Sequence, residues 1–151
     1  MKNTELFLEK SQIMKIGIID GQGGGIGGAV IKKLREEFGE RLEIIALGTN
    51  SIATAQMMKA RANKGATGEN AILQTAPKMD ILIGPIGIIL AQSMMGEVTP
   101  AIARAVAESP GLKFLIPLSQ ERVEVVGLLS EPLPHLVEKL LIRLKECMGH
   151  V

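Results

Sequence analysis

The chemistry of this chain is concentrated where it has almost no side chains. Six of the eight residues after Asp20 are glycine, in the run Asp20-Gly21-Gln22-Gly23-Gly24-Gly25-Ile26-Gly27-Gly28. Upstream, Ile16-Gly17-Ile18-Ile19 is apolar, lacks alternation and is rich in β-branched residues, so it reads as a buried strand. Downstream, Ile26, Val30, Ile31, Leu34 and Phe38 recur at helical spacing and predict an amphipathic helix that stops at Gly39. Strand, glycine loop and helix is the layout of a phosphate-binding turn. Bare backbone N–H groups approach an anion closely, and the positive end of the helix dipole faces it. Gly21, Gln22, Gly23, Gly24, Gly25, Ile26 and Gly27 are therefore the predicted cofactor-binding residues.

Two fingerprints overlap in the loop. Gly23 to Gly28 fits G-x-G-x-x-G, and Gly21 to Gly27 fits G-x-x-x-G-I-G, which resembles the cofactor loop of short-chain dehydrogenases. A Walker A loop is excluded, because Ala29 and Val30 follow Gly28 where Lys and Ser or Thr are required. The reductase chemistry of short-chain dehydrogenases is excluded too, since it uses a tyrosine and the chain has none. A dinucleotide fold also places an acid at the end of its second strand to hold the ribose hydroxyls. Gly48, Thr49, Asn50 and Ser51 occupy that place here, with no acid for NAD and no Arg for a 2′-phosphate in reach. Thr49, Asn50 and Ser51 are candidates to hydrogen-bond a ribose, or else cap the next helix.

Other groups are sparser. Asp20 is one of two aspartates, and it can accept N–H groups from the glycine turn, bind a ribose hydroxyl or hold Mg²⁺; the first is the expected role. Gly84, Pro85 and Gly87 follow a later apolar strand and are binding candidates of the same edge, or simply turn residues. Glu69 in Thr67-Gly68-Glu69-Asn70 is a candidate acid or base beside Asp20, with helix capping by Thr67 as the plainer role, and Glu97 is similar. Ser119 and Gln120 are placed on the rim, and His135 and His150 on the surface.

Positioning these groups requires alternating strands and helices. Strands are expected at Leu42–Leu47, Ile81–Ile83, Lys113–Pro117 and Val123–Gly127, and helices from Ile52 to about Ala62, Ile88 to Met95, Ala101 to Glu108 and Ser130 to about Cys147. Thr99 and Pro100 supply an N-cap and first helical position. Asn63 to Asn70 reads as a break, and Ala71–Ala76 as a helical turn. The fold class is α/β: a three-layer Rossmann-like sandwich with a mostly parallel sheet of about five strands and helices on both faces. The loops at 20–28, 48–51, 84–87 and 117–120 should share one edge of that sheet. Residues 1–13 read as an N-terminal extension or an outer helix, and residues 14–151 as one domain.

Composition narrows the function classes. Lys and Arg number 17 against 16 Asp and Glu, and aromatic residues make up 2%, which gives nucleic acid neither a basic patch nor a stacking platform. One cysteine precludes an internal disulfide or a multi-cysteine metal site, and no apolar stretch reads as a signal peptide or a membrane span. No metal ligand set is assigned, and a cytoplasmic location is expected.

Four segments taken together, Ile18–Gly27, Ala46–Asn50, Gly65–Ala71 and Ile83–Gly87, resemble an uncharacterised family of small bacterial proteins whose domain has no known function and a Rossmann-like outline. The resemblance starts near Met14 and implies a fold but no activity. The expected function is nucleotide or dinucleotide binding, with NAD(P) or another nucleotide as ligand and its phosphate on the 21–28 loop, in a homo-oligomer. The alternatives are a small enzyme acting on a phosphorylated metabolite, with Asp20 or Glu69 as acid or base, and a structural interaction protein with no ligand.

Overall fold

A computed structural model describes residues 13–118 and 121–149. Strands β1 (Met14–Asp20), β2 (Leu42–Gly48), β3 (Lys64–Thr67), β4 (Ile81–Pro85) and β5 (Leu112–Ile116) form one sheet in the order β3-β2-β1-β4-β5. Every pairing is parallel, with Ile18 opposite Ala46 on one side and Ile83 on the other. The helices are α1 (Gly25–Phe38), α2 (Ser51–Lys59), α3 (Glu69–Thr75), α4 (Pro100–Glu108) and α5 (Leu133–Cys147).

Side chains alternate across each strand, so the sheet serves two cores. Ile16 and Ile18 of β1 meet Val30, Ile31 and Leu34 of α1, Met57 of α2 and Leu140 and Leu144 of α5 on one face. Ile19 and Leu82 meet Ile72 of α3 and Ile102 and Val106 of α4 on the other. Helices change faces where the chain leaves β3 at one edge and re-enters the sheet beside β1 as β4. That reversal lies between the carboxyl ends of β1 and β4, where doubly wound sheets bind ligands. Among the described residues no helix is long and apolar enough to cross a membrane.

Three expected elements differ. The Val123–Gly127 segment forms no ladder among the described residues: Val126 is 93% exposed, and the remaining strand of the sheet is β3, Lys64–Thr67, within the expected break. β-branched residues favour a strand only when a neighbouring edge offers a ladder, and β2 offers its edge to Lys64–Thr67 instead. The expected helix at Ile88–Met95 is a 3₁₀ turn, Ile86–Ile89, followed by turns in which Gln92, Met94 and Met95 are left-handed, at φ 71°, 57° and 58°. The N-cap of α3 is Gly68, not Thr67, whose hydroxyl lies 2.7 Å from that of Thr54. Thr99 caps α4 and Pro100 opens it, as expected. Residues 1–12, Ser119, Gln120 and His150 lie outside the described residues; Ile13 and His135 are exposed.

Candidate functional site

The site begins with the phase of β1. Ile16 and Ile18 face α1, so Asp20, two residues on, faces it too. The Asp20 side chain is buried, its Oδ1 accepting the Gly21 N–H at 2.8 Å and its Oδ2 the Gly27 N–H at 2.7 Å. One carboxylate thereby closes the glycine loop, from its first residue to the first turn of α1. Burial acts most strongly on this group and raises its pKa. The N–H groups of Gly27, Gly21 and Ile26 pull the other way, the nearby charge of Glu97 adds to the rise, and the outcome lies above the ordinary aspartate value.

The loop glycines divide by what their missing Cβ would meet. At Gly27 it would lie 2.5 Å from Met57 Sδ, and at Gly21 2.5 Å from Thr49 Oγ1 and 2.6 Å from Met94 Sδ. Gly24 is left-handed, at φ 74°, and its N–H donates to the Gly21 carbonyl at 2.9 Å. These three are demanded by packing or by the turn. Gly23 and Gly25 are exposed, have no left-handed φ, and would place a Cβ with nothing within 4 Å. No other glycine among the chain's 17 combines those properties.

A second carboxylate reaches the loop from the β4–α4 connection. Glu97 Oε1 accepts the Gln22 N–H at 2.8 Å, the Thr49 hydroxyl at 2.7 Å and the Asn50 side-chain amide at 2.9 Å. Asn50 also donates to the Gln22 carbonyl at 3.0 Å and caps α2 by accepting the Ala53 N–H at 2.8 Å. Burial is the largest influence on Glu97 and raises its pKa, but the donors Gln22, Thr49 and Asn50 together outweigh it and hold the group below the ordinary glutamate value. The acid missing from the end of β2 in the sequence thus arrives from a different loop. Its partners lie 75 and 47 residues away, at Gln22 and Asn50, so no local spacing announces it.

Beside these groups opens a cleft of about 320 Å³, lined by Asp20, Gln22, Ile26, Pro85, Gly87, Met94, Leu118 and Glu121. It sits at the reversal of strand order and within the size range of small-molecule sites. Among the described residues its lining carries two acids and no Lys or Arg. Met94 is pinned there by its N–H, which donates to Glu121 Oε2 at 3.2 Å. Among the described residues no three His, Cys, Asp or Glu side chains group to hold a metal.

Of the sequence-derived candidates, the structure brings together Asp20, the 21–27 loop, Thr49, Asn50, Pro85 and Gly87. The N–H groups of Gly21, Gln22, Gly24 and Gly27 are engaged within the fold. Gly84 is a packing residue, its Cβ position being 2.3 Å from the Ile19 carbonyl. Ser51 is the exposed first residue of α2 and does not line the cleft. Glu69 does not line it either, and accepts the Thr99 hydroxyl at 2.6 Å.

The two carboxylates carry opposite pH signatures. A carboxyl whose pKa folding raises stabilises the fold when protonated, so the Asp20 contribution grows as pH falls towards the ordinary aspartate value and is lost as pH rises through the folded one. Glu97, depressed, contributes stability above its ordinary value that is lost as pH falls through the folded one. Asp20→Asn should therefore lose stability more steeply than the parent as pH falls from neutral towards the ordinary aspartate value, and Glu97→Gln less steeply as pH falls below the ordinary glutamate value. Urea midpoints across that range test this; three parallel curves would refute it.

A family model described as "Domain of unknown function (DUF3842)" matches residues 15–149, a span that includes the glycine loop and every residue lining the cleft. No curated protein matches the chain.

Proposed function

The chain belongs to that family of unknown function, and from the chemistry of its own site we propose that it binds a nucleotide or dinucleotide across the carboxyl ends of β1, β2 and β4. One phosphate sits on the open amides of the glycine loop, and the remainder of the ligand extends into the cleft. The observation that carries this reading is the pair Gly23 and Gly25, which serve neither the turn nor the packing. A glycine without geometric need costs roughly 0.5–1 kcal/mol against alanine. Two of them, side by side with the start of a helix and facing open space, favour close approach of an anion to the backbone. Gly21, Gln22 and Gly27, engaged by the protein's own carboxylates, shape that surface rather than donate to the ligand. Asp20 acts as the staple of the loop, with both oxygens accepting N–H groups, and not as an acid or base.

The same pair supplies the test. Thermal shift against NAD, NADP, FAD, ATP, coenzyme A and sugar phosphates should find a stabilising ligand, by about 2.7 kcal/mol at a hundredfold excess over Kd. Gly23→Ala and Gly25→Ala fit without contact, so each should leave stability unchanged or raise it by about 0.4–1 kcal/mol. Each should also weaken the ligand roughly tenfold to a hundredfold by blocking charge-assisted hydrogen bonds. Unaltered affinity in both variants would move the ligand elsewhere, and a panel without any hit would end the nucleotide reading.

A further inference from the structure

Building on the nucleotide reading, we propose that Glu97 is the ribose-recognising residue of this site and restricts it to ribonucleotides with a free 2′-hydroxyl. In dinucleotide-binding sheets the ribose hydroxyls meet a carboxylate at the carboxyl end of the second strand. Here β2 ends in Gly48-Thr49-Asn50, and Glu97 is held on Thr49 and Asn50 at 2.7 and 2.9 Å. Its third bond, to the Gln22 N–H at 2.8 Å, fixes the same carboxylate against the glycine loop. The group therefore lies where a sugar would follow a phosphate seated on Gly23 and Gly25.

All three donors converge on one oxygen. Oε1 takes the Gln22, Thr49 and Asn50 hydrogens, while Oε2 has no hydrogen-bond partner among the described residues. An ionised carboxylate offers about four acceptor sites, so Oε2 is left to accept from hydroxyl groups. The side chain is neither buried nor fully exposed, and its donors keep it ionised at neutral pH. Three left-handed non-glycine residues, Gln92, Met94 and Met95, carry the chain across the end of β1 to deliver it. Asp20 and Glu121 line the adjoining cleft, and among the described residues no Lys or Arg does. Hydroxyls suit this environment, whereas the additional charge of a 2′-phosphate is repelled.

Calorimetric titration of ATP, 2′-deoxy-ATP, NAD and NADP into the full chain tests the assignment. The parent should bind ATP or NAD at least about tenfold more tightly than its 2′-deoxy or 2′-phosphorylated counterpart, one hydrogen bond to a charged group being worth about that factor or more. Glu97→Gln should lose most of this preference, weakening the ribonucleotide while leaving the 2′-deoxy form nearly unchanged; Glu97→Ser should in addition admit NADP. A merely structural role for Glu97 would weaken ribo and deoxy forms equally, and that result, or a parent indifferent to the 2′ position, overturns the proposal. If ATP or NAD binds and Gly25→Ala disrupts it, such a failure belongs to Glu97 alone. If none of the four binds, this assignment falls, and the nucleotide reading falls with it only when the wider thermal-shift panel also gives no hit.

Discussion

Replacing Asp20 with alanine is expected to lower stability by about 3 kcal/mol, a fall in Tm of roughly 6–12 °C for a chain of this size. The substitution orphans two buried N–H groups, those of Gly21 and Gly27, each of which loses its acceptor. An unsatisfied buried donor costs about 1–3 kcal/mol. Part of that is returned, because burying the carboxylate was itself unfavourable, as its raised pKa records. Asparagine separates the contributions. It keeps one oxygen for one N–H and turns an amide NH₂ towards the other, a donor facing a donor, so it should recover only about 1 kcal/mol of the loss. Urea denaturation of both variants measures the effect, and limited proteolysis should find the 21–28 loop newly accessible in the alanine variant. Unchanged stability in both would mean that the loop closes without its staple.

The second large effect lies at the other end of α1. Arg35 is a buried cation on this helix, 5% exposed. Its Nε donates to the Arg61 carbonyl at 2.8 Å, Nη1 to the carbonyls of Gly39 and Leu42 at 2.9 and 3.1 Å, and Nη2 to Asn63 Oδ1 at 2.6 Å. The fork ties α1 to the start of β2 and to the turn that feeds β3, so it sets the pose of the helix whose first residues form the site. The exposed Glu40, 3.9 Å away, adds little. Arg35→Met should cost about 3–5 kcal/mol by stranding several acceptors at once. Arg35→Lys should restore only a minor part, because an ammonium cannot reproduce a planar fork. Arg104→Met, breaking an exposed pair with Glu108, serves as the control and should stay within about 0.5 kcal/mol.

The two effects bear on what could be read from sequence. β1, β2, β4 and β5 are apolar runs of the kind that a sheet buried on both faces requires, and they were legible for that reason. β3 was not: Lys64-Gly65-Ala66-Thr67 has no large apolar side chain, sits at the sheet edge, and is held by its backbone ladder to β2. Val123–Val126 misled in the opposite sense, having strand-forming side chains and no ladder. The glycine loop was visible because its signal is local, and so were the bonds of Asp20 to the loop's N–H groups and the cap that Asn50 places on the Ala53 N–H three residues on. Glu97 carried no such signal. The residues around it look helical by composition, and only the left-handed turns that end at Gly96 bring it over β1.

The order of the strands has a consequence for assembly. β1, α1, β2, α2 and β3 follow one another along the chain, and their contacts close short loops. The pairing of Ile16–Ile18 with Ile81–Ile83 joins segments far apart in sequence, and such closures are the slow ones. A nascent chain that has made only its first three strands already owns the glycine loop, yet neither Pro85, Met94 nor Glu97 stands beside it. Competence to hold the proposed nucleotide would therefore be a late acquisition, reached when the second half docks, and such a ligand would not template the steps that precede it.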